Sequence, residues 1–325
     1  MKPIERFLRE TDRVPLMPMP TPLHPMHYQP SGKDVSLLIK RDDMTGVGPG
    51  GNKIRSLEFL LGEARSKGAS KILAAGQSNL CALTAAACAK AGLDCELIIN
   101  AAEPARKEGN LLLEELLGTK IHFLGPCDGA VRNRRMEELA AAYQSAGEQV
   151  YVVRNGATTG RGALGYTAAV VEMKRQCEDL GIGRMTIFAP GGNGGVAAGL
   201  IYGNQLMGQP FRIVIVSVED DRETLTAHIR STISEAEEIT GLPMNVPVEQ
   251  AAEITDAYRG GGWGENTEES QQAVLSFARS EGIFIENVYT SKVLVGMMDW
   301  IEQEKVSGPV CYLHTGGLGS LFAQY

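Results

Sequence analysis

The feature that most constrains this chain is an alternation. From residue 50 onward, short apolar runs alternate with segments of helical periodicity. The runs at 71–75, 95–100, 120–124, 150–153, 185–189, 212–218 and 311–314 read as strands. Helical patterns follow at 79–91, 108–117, 134–146, 163–180, 222–239, 268–281 and 292–303. An earlier helix carries an apolar stripe of Ile54, Leu57, Leu60, Leu61 and Ala64, with Asn52 placed to cap it and Gly68 to end it. The runs are continuously apolar, as strands covered on both faces must be. The alternation therefore predicts an α/β fold of parallel sheets with helices on both faces. In such sheets ligands bind at the carboxyl ends of strands, so the strand-to-helix turns are where chemistry is sought.

Composition narrows the partners. The net charge of −8 and sequence pI of about 5.3 argue against nucleic acid or an anionic membrane as a partner, because counterion release needs clustered Lys and Arg. The N-terminal MKPIERFLRE lacks the apolar core of a secretory signal, and no run approaches the roughly 20 apolar residues of a membrane span. The six cysteines form no Cys-x-x-Cys pair and read as reduced, buried thiols. The expectation is a cytoplasmic protein without a metal site, large enough for one big core or two smaller ones.

Four turns carry candidate chemistry. In KRDDMTGVGPGGNKIRSLE, Lys53 stands just inside a helix start. It is not a P-loop lysine, since Asn52 precedes and Ile54 follows. A helix N-terminus disfavours a cation, which helps keep an amine neutral and nucleophilic; a solvated first-turn lysine is the bland alternative. In AAGQSNLCAL, Gln77, Ser78 and Asn79 suit a carboxylate, or merely cap a helix. In FAPGGNGGVAAGL, Gly191, Gly192, Gly194 and Gly195 form a plausible phosphate cradle. The same turn matches a weak dinucleotide pattern at Gly192, Gly194 and Ala197, with Glu219 available for a ribose, so a nicotinamide-dependent oxidoreductase stays open. In CYLHTGGLGSLFAQY, His314 and Thr315 end a strand and Gly316 follows.

Read in order, KRDDMTG, GGNKIRSLE, QSN, the glycine turn, NVYTSK and HTGG resemble the family of 1-aminocyclopropane-1-carboxylate deaminase and D-cysteine desulfhydrase. The resemblance runs from LIKRDD to LFAQY. It implies a fold type II pyridoxal-phosphate enzyme, similar to the tryptophan synthase β chain, with two open twisted sheets. It implies a large cofactor domain (1–50 and 164–325) with a smaller inserted α/β domain (51–163), and a homodimer. By the same resemblance Lys53 is the Schiff-base lysine and proton-transfer base. Asn52 holds the ring hydroxyl, and Gly192, Asn193, Gly194, Gly195 and Val196 hold the phosphate. Thr290 faces the pyridine nitrogen. Gln77, Ser78, Asn79, Trp263, Tyr289, Thr315 and Gly316 contact a small amino-acid substrate, with Ser78 and Tyr289 near the reacting atoms.

Two positions bear on the reaction. The cyclopropane deaminases carry glutamate where this chain has Thr290, and a neutral hydroxyl adds no charge to hold the ring nitrogen protonated. Thr315 is also desulfhydrase-like. Both favour α,β-elimination to pyruvate and ammonia (with sulfide from D-cysteine) over ring opening. The chain departs from the family at Trp263, usually a second tyrosine, at Leu80 and Ala82 after QSN, and at Val196, usually a phosphate-binding threonine. These departures imply an apolar, remodelled substrate pocket, and at the extreme a non-catalytic relative.

Overall fold

The computed structural model describes residues 1–18, 20–28, 33 and 35–324. Its strands are β1 (Leu23–Pro25), β2 (Leu37–Arg41), β3 (Lys71–Ala75), β4 (Asp94–Ile99), β5 (Lys120–Phe123), β6 (Val150–Val153), β7 (Met185–Gly191), β8 (Phe211–Ser217), β9 (Glu253–Thr255) and β10 (Val310–His314). They form a six-stranded sheet in the order β1-β2-β10-β7-β8-β9 and a four-stranded sheet in the order β5-β4-β3-β6. Every pairing is parallel except β1 with β2. The α/β class with two mostly parallel sheets is thus as expected.

The period of two along a strand sorts the large sheet's residues between two cores. Ile187, Ala189, Ile213 and Ile215 pack in one apolar cluster; Phe188, Val214 and Val216 pack in another. A third cluster joins Ile72, Ala74 and Leu97 of the small sheet to the helices Lys53–Ser66 and Asn79–Ala91. The helix Gly160–Leu180 lies against two others. A Cβ on Gly165 would sit 2.5 Å from the Arg55 backbone, and one on Gly199 would sit 2.2 Å from the Ala163 carbonyl. Glycine is what lets these backbones touch.

Some boundaries differ from the sequence reading. The helix expected at 134–146 begins at Gly129, because the Asp128 carboxylate caps it by accepting the Val131 N–H at 2.8 Å. Strand β7 runs on to Gly191, since Pro190 and Gly191 stay in register with Val216 and Ser217. Asn52 occupies the cap position of its helix, but its backbone is already helical and its side chain makes no cap bond. Cys95 and Cys127 are partly exposed, whereas Cys81, Cys88, Cys177 and Cys311 are buried. Among the described residues, no helix is long and apolar enough to cross a membrane.

Candidate active site

A buried ionic network fixes the helix that begins at Lys53. Arg55 donates from Nε and Nη2 to the two Asp42 oxygens, each at 2.8 Å, and from Nη2 to Glu172 at 2.8 Å. The Tyr166 hydroxyl donates to Asp42 at 2.7 Å, and Lys40 pairs with Glu172. Asp42 is desolvated, yet the Arg55 guanidinium, with Lys40 and Tyr166, holds its carboxyl down at about 2. Two cations thus meet two anions with every charge engaged, which a buried group of this kind requires. The KRDD segment supplies Lys40 and Asp42, so this motif locks the start of the lysine helix onto β2.

The carboxyl ends of β3, β6, β7 and β10 converge on a cleft with about 610 Å³ of atom-free space, part of it open to solvent. Of the expected residues, it gathers Asn52, Lys53, Ser78, Asn79, Gly192, Asn193, Gly194, Gly195, Val196, Tyr289, Thr315 and Gly316. The turn before Lys53 is pinned to the C-terminal strand exit. Gly51 and Gly316 form a β-bridge, and the Asn52 N–H donates to the Thr315 carbonyl at 3.0 Å. Gly316 has φ of 98° and a Cβ there would lie 2.7 Å from the Gly51 Cα, so two constraints demand glycine.

Lys53 points into this cleft. Its Nζ donates to the Gly156 carbonyl at 2.8 Å. Burial pushes its pKa down to about 8, against the opposing pull of the Glu219 carboxylate. Desolvation is therefore the main cause of the softened charge, rather than the helix end that the sequence suggests. Gly156 also abuts the glycine turn: a Cβ there would lie 3.1 Å from Asn193 Nδ2. The lysine amine and the turn share one wall.

That turn forms an anion cradle. Gly194, at φ 88°, precedes the helix Gly195–Leu206, which has no side-chain cap. Its first N–H groups are left open by helix geometry. Thr158 Oγ1 is buried without a partner and lies 3.1 Å from where a Cβ on Gly195 would be. An orphaned buried hydroxyl beside open N–H groups suits a phosphate. Thr158 is placed where it could supply the hydroxyl that Val196 lacks.

The opposite wall presents polar groups. Ser78 caps the helix Asn79–Ala91 by accepting the Leu80 N–H at 3.4 Å. Asn79 Oδ1 accepts from Asn110 at 3.0 Å and from Ser320 at 2.9 Å, which leaves its Nδ2 donor for a ligand. The Tyr289 hydroxyl accepts the Trp263 indole N–H at 2.6 Å. Burial raises the Tyr289 pKa, so the group stays a phenol.

Three expected residues lie elsewhere. Gln77 and Trp263 line adjoining cavities, not the cleft itself. Thr290 is fully buried and does not line the cleft; its hydroxyl donates to Glu286 Oε1 at 2.9 Å. Glu286 lines the cleft instead, accepting the Val288, Tyr289 and Thr290 N–H groups at 2.7, 3.0 and 2.8 Å. A carboxyl group therefore stands next to the neutral hydroxyl of Thr290. Burial pushes the Glu286 carboxyl up in pKa.

The comparisons with known proteins agree with this geometry. The family described as pyridoxal-phosphate dependent enzymes matches residues 14–316. This chain belongs to that family. It is 31% identical over 321 residues to a Pyrococcus abyssi protein provisionally named 1-aminocyclopropane-1-carboxylate deaminase, covering 98% of this chain and 96% of that one. A Pyrococcus horikoshii protein with the same provisional name is 35% identical over 320 residues, covering 97% and 95%. A crystal structure of an ACC deaminase homologue superposes with a TM-score of 0.90 at 33% identity, covering 98% and 96%. The chain thus stands among the ACC deaminase homologues of the family. O-ureido-L-serine synthase, at 14% identity and TM-score 0.67, shares the fold alone.

Pyridoxal phosphate is the cofactor, and the residues present fit it. They offer a buried amine of lowered pKa, a glycine cradle with an unpartnered hydroxyl, and Asn52 with its side chain free of capping duty. The nicotinamide reading of the glycine turn is set aside by the family match. Glu219 sits near Lys53 with a buried, unpartnered oxygen. Thr158, Gly156 and Glu286 are the site residues that motif reading missed. Thr158 and Gly156 follow β6 and were findable by the strand-end rule; Glu286 carries no sequence signal of its own.

Proposed function

We propose that this protein is a pyridoxal-phosphate lyase acting on a small amino acid, with elimination of a β-substituent as the favoured reaction. The supporting observation is Lys53: a desolvated amine near pKa 8, on the same wall as a phosphate-sized cradle. When bound, the cofactor supplies an aldehyde for the substrate amine and a conjugated ring that accepts the electron pair left at the α-carbon. The chain's own residues do the rest. Ser78, Asn79 Nδ2 and the open N–H groups of their helix grip the substrate carboxylate. Lys53 Nζ takes the α-proton, for which an amine near pKa 8 is well matched. Tyr289, a phenol with its oxygen already accepting from Trp263, has its proton left to donate to the departing group.

Desulfhydrase-type elimination rests on Thr290 and Thr315. Ring opening of 1-aminocyclopropane-1-carboxylate is the second reading, favoured by the Glu286 carboxyl in the cleft wall. The same proposal takes the protein as a cytoplasmic homodimer, with the large sheet in a cofactor domain (1–50 and 164–325) and the small sheet in an inserted domain (51–163). The reactions separate in one assay. Pyruvate should form from D-cysteine or β-chloro-D-alanine faster than 2-oxobutanoate forms from the cyclopropane substrate. The reverse order sinks the elimination reading and promotes the second.

A further inference from the structure

A second cavity opens beside the cleft and shares Ser78, Asn79 and Tyr289 with it. It has about 990 Å³ of atom-free space, part of it open to solvent, against about 610 Å³ for the cleft. A ligand gripped at Ser78 and Asn79 therefore has room to extend away from Lys53. A substrate no larger than cysteine would leave this space to water.

The cavity wall has a distinctive chemistry. Glu114, on the helix Gly109–Leu116, is only 2% exposed. Among the described residues no hydrogen-bond or ion-pair partner reaches its carboxyl, and its Oε2 is sealed from solvent. Burial alone raises its pKa to about 8. A buried carboxyl without a partner costs stability, so a purely structural role does not account for it. Glu108 also lines the cavity, whereas Lys, Arg and His are missing from its described walls. The Trp263 and Tyr289 rings line it too, and aromatic faces favour cations. Glu108 already pairs with Arg106 at 3.3 Å, so the unpaired Glu114 carboxyl and the aromatic residues are what ask for a cationic occupant.

We propose that this cavity receives a protonated amine at the far end of the substrate side chain, with Glu114 as its counter-ion. The substrate class is then β-substituted alanines whose leaving group ends in an ammonium, rather than cysteine-sized amino acids; diamino acids carry that amine without a β-leaving group and serve as binding probes. This inference rests on the lyase reading above, since the α-amino and carboxylate ends must be held in the cleft. Asn110 links the two sites, because it donates to Asn79 and stands one helical turn before Glu114. An arriving ammonium would favour the ionised carboxyl, and Glu114 would release its proton to solvent on binding.

The test uses the cofactor-loaded enzyme and pairs of isosteres. 2,4-Diaminobutyrate is compared with norvaline, and ornithine with norleucine, in both enantiomers. Binding is read by calorimetry and by the change in the visible absorption band. At least one diamino acid should bind tenfold or more tighter than its uncharged isostere, and E114Q should erase that advantage. Equal or weaker binding of the diamino acid at both chain lengths overturns the proposal, as does an advantage that survives in E114Q. If alanine and norvaline shift the band while diamino acids gain nothing, this inference fails and the lyase reading stands. If cofactor-loaded protein has no visible band, both fail.

Discussion

Arg55 and Glu114 are equally hidden from water, each 2% exposed, yet their surroundings differ completely. Arg55 engages Asp42, Glu172 and Thr21, and its charge is held by carboxylates on two sides. Among the described residues the Glu114 carboxyl meets no partner, and burial raises its pKa to about 8. Buried ions are tolerated when they are paired and hydrogen-bonded, and otherwise neutralise. The paired group lies behind the lysine helix and acts as scaffold. The unpaired group lies on a cavity wall, where a ligand can complete it. Thr158 obeys the same rule at the other end of the cleft: among the described residues its buried hydroxyl has no partner and is free to hold a phosphate.

Breaking the paired side should have the larger effect. Replacing Arg55 with Met takes the guanidinium from Asp42 and leaves Glu172 with Lys40 alone, and should cost about 3–5 kcal/mol in denaturant unfolding. A cost below about 1 kcal/mol would show that the network is not the scaffold described. Glu114 should give a pH signature instead. Its folded-state pKa lies above the unfolded carboxylate range, so its stabilising contribution is full below about pH 4.5 and is lost as pH rises through about 8. Relative to wild type, E114Q should therefore gain roughly 3–4 kcal/mol between pH 5 and pH 8. A pH-independent difference between the two proteins would mean that Glu114 is ionised throughout. The smallest effect should come from Thr158→Val, which removes one hydroxyl from the cradle and should weaken cofactor retention by about 1 kcal/mol. Thr158→Ser should restore it; equal retention in all three proteins would remove Thr158 from the cradle.

The difference also explains what the sequence could disclose. Strands β3 and β6 and the helix Asn79–Ala91 fell where periodicity placed them, because buried two-sided strands and an Ala-rich helix advertise themselves locally. The short strands β2 and β9 did not, since their pairing comes from distant chain and not from local pattern. The cleft was legible wherever a motif lay at a strand exit, as with Lys53, Ser78, Asn79 and Gly192. Glu286 and Glu114 were not. Each is one glutamate among many in the sequence, and only burial and the lack or identity of partners sets them apart. Thr290 is the converse case: the motif points to the residue, and the fold buries its hydroxyl against Glu286.

The central claim is that Lys53, held at Gly156 beside the glycine turn, is where pyridoxal phosphate attaches. Reducing cofactor-loaded protein with borohydride and mapping the peptides by mass spectrometry tests it directly. The pyridoxyl mass should appear on the peptide containing Lys53 and nowhere else, and Lys53→Ala should carry no label. A label on Lys40, Lys292 or any surface lysine, with Lys53 unmodified, would contradict the account.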